Sequence, residues 1–132
     1  MKTFATILAG AALALTAATG ASAETKAEKG EARLAKMLEG RVAGKPVKCI
    51  NQGRTDRLQV IDETALVYDA GKTIYVARPR DPKTLDDSDI LVIKRFGGQL
   101  CANDMIHTVD RFDHFLTGIV FLDEFVPYTK EG

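Results

Sequence analysis

The stretch LQVIDETALVYDAGKTIYVA, residues 58–77, decides the fold that the sequence predicts. Apolar and polar residues alternate at both of its ends, which is the two-residue period of a half-buried strand. Between those ends, Asp62-Glu63 marks one turn, and DAGK at residues 69–72 is typical of a tight β-hairpin. The stretch therefore predicts consecutive antiparallel strands joined by short turns.

The pattern changes on either side of this stretch. Residues 90–93 and 119–122 are apolar on both faces, which is typical of central strands. Residues 24–40 are highly charged and carry leucines one turn apart, which predicts an amphipathic helix. Because Gly30 weakens the first turns, we expect the ordered helix to begin near Glu31, after a flexible tail.

These patterns predict a mainly β (α+β) fold in which an N-terminal helix precedes a small antiparallel β-barrel or sandwich of about seven strands. We expect a signal peptide at residues 1–23, a flexible tail and amphipathic helix at 24–44, and a single β-rich domain at 45–132. The expected core combines inward-facing strand residues with two helix leucines. These are Leu58, Val60, Ile74, Val76, Leu91, Ile93, Val120 and Leu122, with Leu34 and Leu38.

The N-terminus has the layout of a secretory signal peptide. Lys2 precedes an alanine-rich apolar run, and Ala21-Ser22-Ala23 is a cleavage site of the A-x-A type. The run is shorter than the roughly 20 apolar residues that span a bilayer, so we expect cleavage after Ala23 and no stable membrane insertion afterwards. The expected location is the periplasm, with full secretion as the alternative.

The charge balance argues against two classes of partner, and the length indicates how many domains the chain forms. The chain has 132 residues, with 18 basic and 18 acidic side chains, and losing Lys2 with the signal leaves a net charge of −1. This balance argues against nucleic acid and against anionic lipid as partners, because both select a basic surface. The mature length suits one domain.

Cys49 and Cys101 are the two cysteines of the chain. An even count in an oxidising compartment predicts a disulfide, and a pair of free thiols in a redox site is the alternative. In the chain-entropy description, a bridge across a loop of this size stabilises a domain by roughly 4 kcal/mol.

Several landmarks follow one another along the chain: Lys48-Cys49-Ile50, the valine-rich strand with Asp62, the Tyr75 strand ending in Arg78-Pro79, Gln99-Leu100-Cys101 followed by Asp104, and Phe125-Val126-Pro127-Tyr128. This order resembles a family of small exported proteobacterial proteins, of the sphingomonad type, assigned to a domain of unknown function. The resemblance implies a Cys49–Cys101 pair. It implies no activity, substrate or catalytic residue.

Nucleophilic catalysis has little support in the sequence. Ser88 is the single serine after the expected cleavage site, and the flanking Asp87 and Asp89 oppose its ionisation. Cysteine catalysis needs a free thiol of low pKa near a histidine, and a disulfide removes that thiol. We therefore assign no catalytic residue.

Both histidines lie in DMIHTVDRFDH, residues 104–114, among three aspartates. Imidazole and carboxylate together favour divalent metals, so His107, Asp110 and His114 are candidate ligands. On a strand, however, His107 faces away from Asp110, and no H-E-x-x-H spacing occurs. The alternative is an edge strand and loop with solvated polar residues, and we assign no metal or other cofactor.

The polar loop at residues 78–89 is the candidate binding element, because long loops in compact domains are often functional. Arg78 and Arg80 form a basic block, Asp86 and Asp87 form an acidic block, and prolines stiffen the loop. Two charge blocks suit an oriented polar contact. The alternative is a solvated connection, and a calcium site is disfavoured because the loop lacks the glycine and distal glutamate of an EF-hand.

Together these observations favour a non-enzymatic exported β-domain that binds an envelope protein or a small ligand. The alternative is a small metal-dependent hydrolase that uses His107, His114 and the neighbouring aspartates. A stress or envelope-stability factor without a ligand is a third hypothesis.

Overall fold

A computed structural model describes residues 23–54, 57–94 and 97–131. The expected signal peptide lies outside these residues, apart from Ala23. The described residues form one α-helix and ten strands, and every strand pair is antiparallel. The elements are α1 Lys26–Met37, β1 Arg41–Ala43, β2 Cys49–Asn51, β3 Leu58–Ile61, β4 Ala65–Asp69, β5 Thr73–Ala77, β6 Ile90–Lys94, β7 Gln99–Cys101, β8 Met105–Val109, β9 Leu116–Val120 and β10 Val126–Lys130.

The strands form three sheets. Five strands lie in the order β1-β10-β5-β4-β3, three in the order β6-β8-β9, and β2 pairs with β7. The described strands do not close into a barrel, so the predicted mainly β fold is confirmed in its sandwich form. The structure has more strands than the roughly seven expected from turn spacing, because β1, β2 and β7 are strands of only three residues each.

Strand β4 lies at the centre of the packing. Its residues from Ala65 to Tyr68 are all buried, so both faces of the strand are covered. Leu66 and Tyr68 pack with buried residues of β2, β7, β8 and β9. Ala65 and Val67 pack with Leu34 of α1 and with the buried residues of β5. The helix, the five-stranded sheet and the smaller sheets thus form three layers.

Helix α1 begins at Lys26, earlier than the predicted start near Glu31. Thr25 and Glu28 form a capping box: Thr25 Oγ1 accepts a hydrogen bond from the Glu28 N–H at 3.1 Å, and Glu28 Oε2 accepts one from the Thr25 N–H at 3.0 Å. Both bonds satisfy donors that a helix start leaves free. The helix therefore includes residues that were expected to form a flexible tail.

Gly30 is buried at the point where α1 crosses the turn between β3 and β4. A Cβ atom at this position would overlap Thr64 Oγ1 and lie 2.8 Å from the carbonyl oxygen of Asp62. The missing side chain lets the helix approach the turn closely. Gly30 is thus a packing requirement, and it does not end the helix.

The predicted core is largely present. Five of its residues are buried: Leu34, Ile74, Val76, Val120 and Leu122. The others are partly buried and pack against the core: Leu38, Leu58, Val60, Leu91 and Ile93. The prediction that residues 90–93 and 119–122 form central strands is wrong, because β6 and β9 are the two edges of the three-stranded sheet. Each has one face on the core and one face exposed.

Replacing Gly30 by alanine tests the close contact of α1 with the sheet. Alanine is the better helix former by about 1 kcal/mol, yet the overlap with Thr64 should lower the free energy of unfolding by about 1–3 kcal/mol. Chemical denaturation measures the change. Gly53→Ala is the matched control, since a Cβ atom at Gly53 meets nothing within 4 Å. Equal stability of the two variants would contradict the docking of α1.

Candidate binding surface

The alternation of side chains sorts the residues of β6, β8 and β9 onto two faces. The register joins Val92 to His107 and His107 to Ile119 across the sheet. It also joins Ile90 to Val109. Since directly paired residues share a face, these side chains all lie on the face opposite the core. The intervening residues of the three strands, such as Ile106, pack inward.

This outer face is apolar and uncovered. Among the described residues, every exposed large apolar side chain except Val42 lies on the face or at its ends. These side chains are Ile90, Val92, Met105, Phe112, Phe115, Leu116 and Phe121. Scattered exposed apolar residues are ordinary, but a contiguous apolar patch on a monomer marks an interaction site. We call this set the outer face.

The β8–β9 loop presents two phenylalanines beside the outer face. Phe112 is 88% exposed and Phe115 is 73% exposed. The loop is held by its own hydrogen bonds: Asp110 Oδ1 accepts from the Phe112 N–H at 2.7 Å and from the Asp113 N–H at 3.1 Å. Asp113 Oδ1 in turn accepts from the Phe115 N–H at 2.9 Å. The two phenyl rings therefore project from a defined turn.

The pKa of the Asp110 carboxyl lies below its usual value, chiefly because the backbone N–H groups of Asp113 and Phe112 donate to it. A carboxylate that accepts backbone hydrogen bonds is stabilised in its charged form. Asp110, predicted as a metal ligand, is thus engaged in fixing the turn that carries the phenylalanines.

The three candidate metal ligands do not form a ligand group in the structure. His107 lies half-buried in the middle of the outer face, and His114 occupies a left-handed turn position with φ 61°. Within the described part of the chain, the group of three or more possible ligand atoms within 4.8 Å of one another is that of Asp62, Asp86 and Asp87. The hydrolase hypothesis therefore stays a prediction.

The acidic group of Asp62, Asp86 and Asp87 lies next to the positively charged side chain of Lys26. Lys26 Nζ lies 3.6 Å from Asp62 Oδ2. The carboxylates of Asp62 and then Asp86 raise the pKa of Lys26 above its usual value. Helix α1 thereby contributes a positive charge where the acidic side chains of the loop and of the β3–β4 turn converge.

Of the four predicted binding residues of the 78–89 loop, Asp86 and Asp87 lie together beside Asp62, whereas the two arginines have other partners. Arg78 Nη1 and Nη2 donate to the two carboxylate oxygens of Glu31 on α1, the second at 3.1 Å. Arg80 lines a pocket of about 460 Å³ beside Cys49. Asp86 lines a second pocket of about 440 Å³, and Asp87 lines a third. The structure therefore does not gather the four side chains at one site.

The 78–89 loop also has structure that its polar composition conceals. Pro82–Thr84 form a 3₁₀ turn, and Leu85 is 1% exposed within the core. The Leu85 carbonyl accepts a hydrogen bond from the Glu63 N–H at 2.9 Å. A buried leucine and a backbone bond to the β3–β4 turn tie the loop to the fold.

The predicted disulfide is confirmed. Cys49 and Cys101 are bonded and occupy directly paired positions of β2 and β7. The bridge thus joins two strands of three residues that lie 52 positions apart in the chain. Its position explains how so short a strand pair is held over the core through Ile50 and Leu100.

Comparison of the chain with protein-family models, curated proteins and solved structures finds no match. The resemblance to an exported proteobacterial family therefore stays a prediction. None of the helices in residues 23–54, 57–94 and 97–131 is long and apolar enough to cross a membrane.

Sequence reasoning did not single out Phe112 and Phe115, which the structure shows to be exposed. It concentrated on the polar atoms of the same segment, since histidine and aspartate suggest chemistry. The available signal was the placement of two phenylalanines between turn-forming aspartates, in a stretch without strand alternation. Such a stretch offers no regular face through which both rings could reach the core.

Ser88 provides a pH-dependent test of the loop geometry. Asp86 Oδ1 accepts from the Ser88 Oγ–H at 2.6 Å and from the Ser88 N–H at 2.8 Å, and these bonds hold the pKa of Asp86 below its usual value. A lowered folded-state pKa stabilises the fold above the unfolded pKa, and that contribution is lost as pH falls through the folded pKa. Ser88→Ala should therefore raise the pKa of Asp86 and lower stability at neutral pH.

The difference in stability between wild type and Ser88→Ala should shrink as pH falls below about 4, where the unfolded carboxyl is protonated. Carboxyl NMR titration and thermal unfolding across pH measure the two effects. Thr84→Ala is the control, because Thr84 Oγ1 donates to the Asp81 carbonyl, which does not titrate. The loss of stability in Thr84→Ala should not change with pH in the range where Asp86 titrates. An unchanged Asp86 pKa in Ser88→Ala would contradict the loop geometry.

Proposed function

We propose that this chain is an exported, non-enzymatic binding protein of the bacterial periplasm, and that it contacts a partner protein through the outer face of β6, β8 and β9. The observation that carries the proposal is the concentration of exposed apolar side chains on this one face and its adjoining loop. An apolar face left in water costs solubility, so its retention points to a surface that another molecule covers.

The composition of the outer face is that of the centre of a protein interface. Aromatic residues and methionine are enriched in such centres, and charged residues are depleted. The outer face and its loop supply three exposed phenylalanines and Met105. Within β6, β8 and β9, Lys94 is the only residue with a formal charge at neutral pH.

The exposed phenylalanines alone supply about half of the area that one side of a standard interface buries. Taking about 200 Å² for a phenylalanine side chain, the three exposed phenylalanines alone present on the order of 400 Å² of apolar surface. The aliphatic side chains and Met105 extend this surface along the strands. One side of a standard interface measures roughly 800 Å².

Export is supported by the disulfide and by the predicted signal peptide. Disulfides persist in oxidising compartments, and Cys49–Cys101 is such a bond. The non-enzymatic part of the proposal is supported by the roles of the polar residues that had suggested chemistry. Asp110 fixes a turn, and Cys49 and Cys101 are joined as a disulfide.

Two serine substitutions test the outer face directly. Phe112→Ser with Phe115→Ser should leave the melting temperature nearly unchanged, since both rings are exposed. The double variant should reduce in-cell cross-linking of the chain to its partner at least about tenfold, because buried aromatic anchors dominate interface energies. Denaturing gels and mass spectrometry measure the cross-linked species.

Val42→Ser is the matched control for that experiment. Val42 is 51% exposed but lies on β1, away from the outer face. It should lose the same kind of apolar surface without changing the cross-linked species. If the double phenylalanine variant gives the same species at the same yield as Val42→Ser, the outer face is not the binding surface.

A further inference from the structure

We propose that the partner on the outer face is a second copy of this chain, packed face to face about a twofold axis that crosses the strands. The inference rests on the binding surface proposed above and names its occupant. The argument comes from the two ends of the outer face, which differ in both charge and shape and which complement each other when one copy is reversed.

One end of the outer face carries a positive charge and the exposed side chains of Met105 and Phe121, which we call the shelf. Lys94 pairs with Met105 across the sheet, and Phe121 directly follows Val120, which pairs with Ile106 beside Met105. Met105 is 52% exposed and Phe121 is 56% exposed. This end therefore offers an uncovered shelf beside the single charged residue of the three strands.

The opposite end of the outer face carries two exposed phenyl rings and several negatively charged aspartates. The β8–β9 loop presents Phe112 and Phe115 and also contains Asp110 and Asp113, whose carboxylates accept backbone hydrogen bonds within the loop. Asp110 also lines the pocket that Asp86 and Thr108 line. The loop also contains Arg111, whose Nε donates to the Ser88 carbonyl oxygen at 3.1 Å. That bond holds the guanidinium beside the 86–89 loop, which leads into Ile90 at this same end, and Asp86, Asp87 and Asp89 of that loop add negative charge that outweighs it.

A twofold axis across the strands brings unlike ends together. Reversing one copy places Lys94 of each chain at the end where Asp110 and Asp113 of the other chain lie. It also places the projecting Phe112 and Phe115 of each copy toward the shelf of the other. An axis along the strands would instead set Lys94 against Lys94 and loop against loop. Charge complementarity therefore selects the crossing axis.

The dimensions of the sheet allow this overlap. From Ile90 to Lys94, β6 extends about 13 Å at roughly 3.3 Å per residue, so the two ends lie within one short sheet length. Full overlap of two such sheets, packed as layers about 10 Å apart, is the arrangement of a β-sandwich. Self-complementary faces of this kind form closed twofold dimers, the commonest oligomers of soluble proteins.

Sedimentation equilibrium on the purified mature protein tests the proposal. We expect a dimer whose dissociation constant rises at least about 30-fold in Phe112→Ser with Phe115→Ser, since aromatic anchors carry most of an interface's energy. Val42→Ser should leave the constant unchanged. A chain that stays monomeric up to millimolar concentration overturns the inference, and so does a dimer that the phenylalanine substitutions leave intact.

Charge reversal tests the direction of the axis. Lys94→Glu and Asp113→Lys should each weaken self-association about tenfold, because each creates two like-charge contacts in a symmetric dimer. Mixing the two variants should restore wild-type affinity, since every contact in the mixed dimer again joins opposite charges. Lys72→Glu, an exposed residue of the β4–β5 turn, is the control and should have no effect.

Asp113→Asn separates charge from turn geometry, because an amide oxygen can still accept the hydrogen bond from the Phe115 N–H. If Asp113→Asn dimerises normally while the mixture of reversed variants does not recover, the proposed axis is wrong. A monomeric chain that still cross-links to a different protein in the cell, dependent on Phe112 and Phe115, overturns the self-association inference and leaves the binding function standing.

Discussion

The burial of β4 on both faces is the constraint on which the rest of the structure depends. Leu66 and Tyr68 on one side and Ala65 and Val67 on the other are all removed from water. Each face therefore needs its own cover, which α1 provides on one side and the smaller sheets provide on the other. The three-layer order, the close approach at Gly30 and the disulfide-held β2–β7 pair all follow from that requirement.

The packing of β6, β8 and β9 on β4 also explains why the outer face is exposed. The inner residues of β6, β8 and β9 are used to bury β4, and no further layer of the described chain covers their opposite side. Apart from His107 and Lys94, the side chains on that side are nevertheless valine, isoleucine, leucine, methionine and phenylalanine rather than the polar residues of a solvated sheet. The pockets, by contrast, are lined by charged side chains, some of which pair within the chain, as Lys26 does with Asp62 and Arg80 with Asp123.

Much of this architecture is predictable from local patterns, since they report local structure. Alternation at residues 58–77 predicts the hairpin strands, and an even cysteine count after an expected signal predicts the disulfide. The start of the helix is harder to predict from the sequence, because glycine generally weakens a helix. Only the close contact of Gly30 with Thr64 shows why a glycine is tolerated at this position. The burial of Leu85 is also hard to predict, because the residues around it in the sequence are polar or charged.

The outer face shows a limit of a different kind. An apolar run such as residues 90–93 indicates that both faces of the strand are covered, but it does not indicate whether the same chain or another molecule covers the second face. The sequence prediction placed these strands at the centre of the chain's own sheet, whereas the structure places them at its edges. In the segment 104–114, the histidines and aspartates suggest a metal site, and no strand alternation in the sequence indicates that Phe112 and Phe115 are exposed.

Native-state hydrogen exchange tests the central position of β4 most directly. The amides of β4 and of its partners in β5 should exchange only through global unfolding, with protection equal to the full free energy of unfolding. The amides of β6 and β9, which pair on one side only, should exchange through smaller openings. If the amides of β4 exchange as fast as those of β6 and β9, the two-sided burial of β4 does not organise the fold, and the account is contradicted.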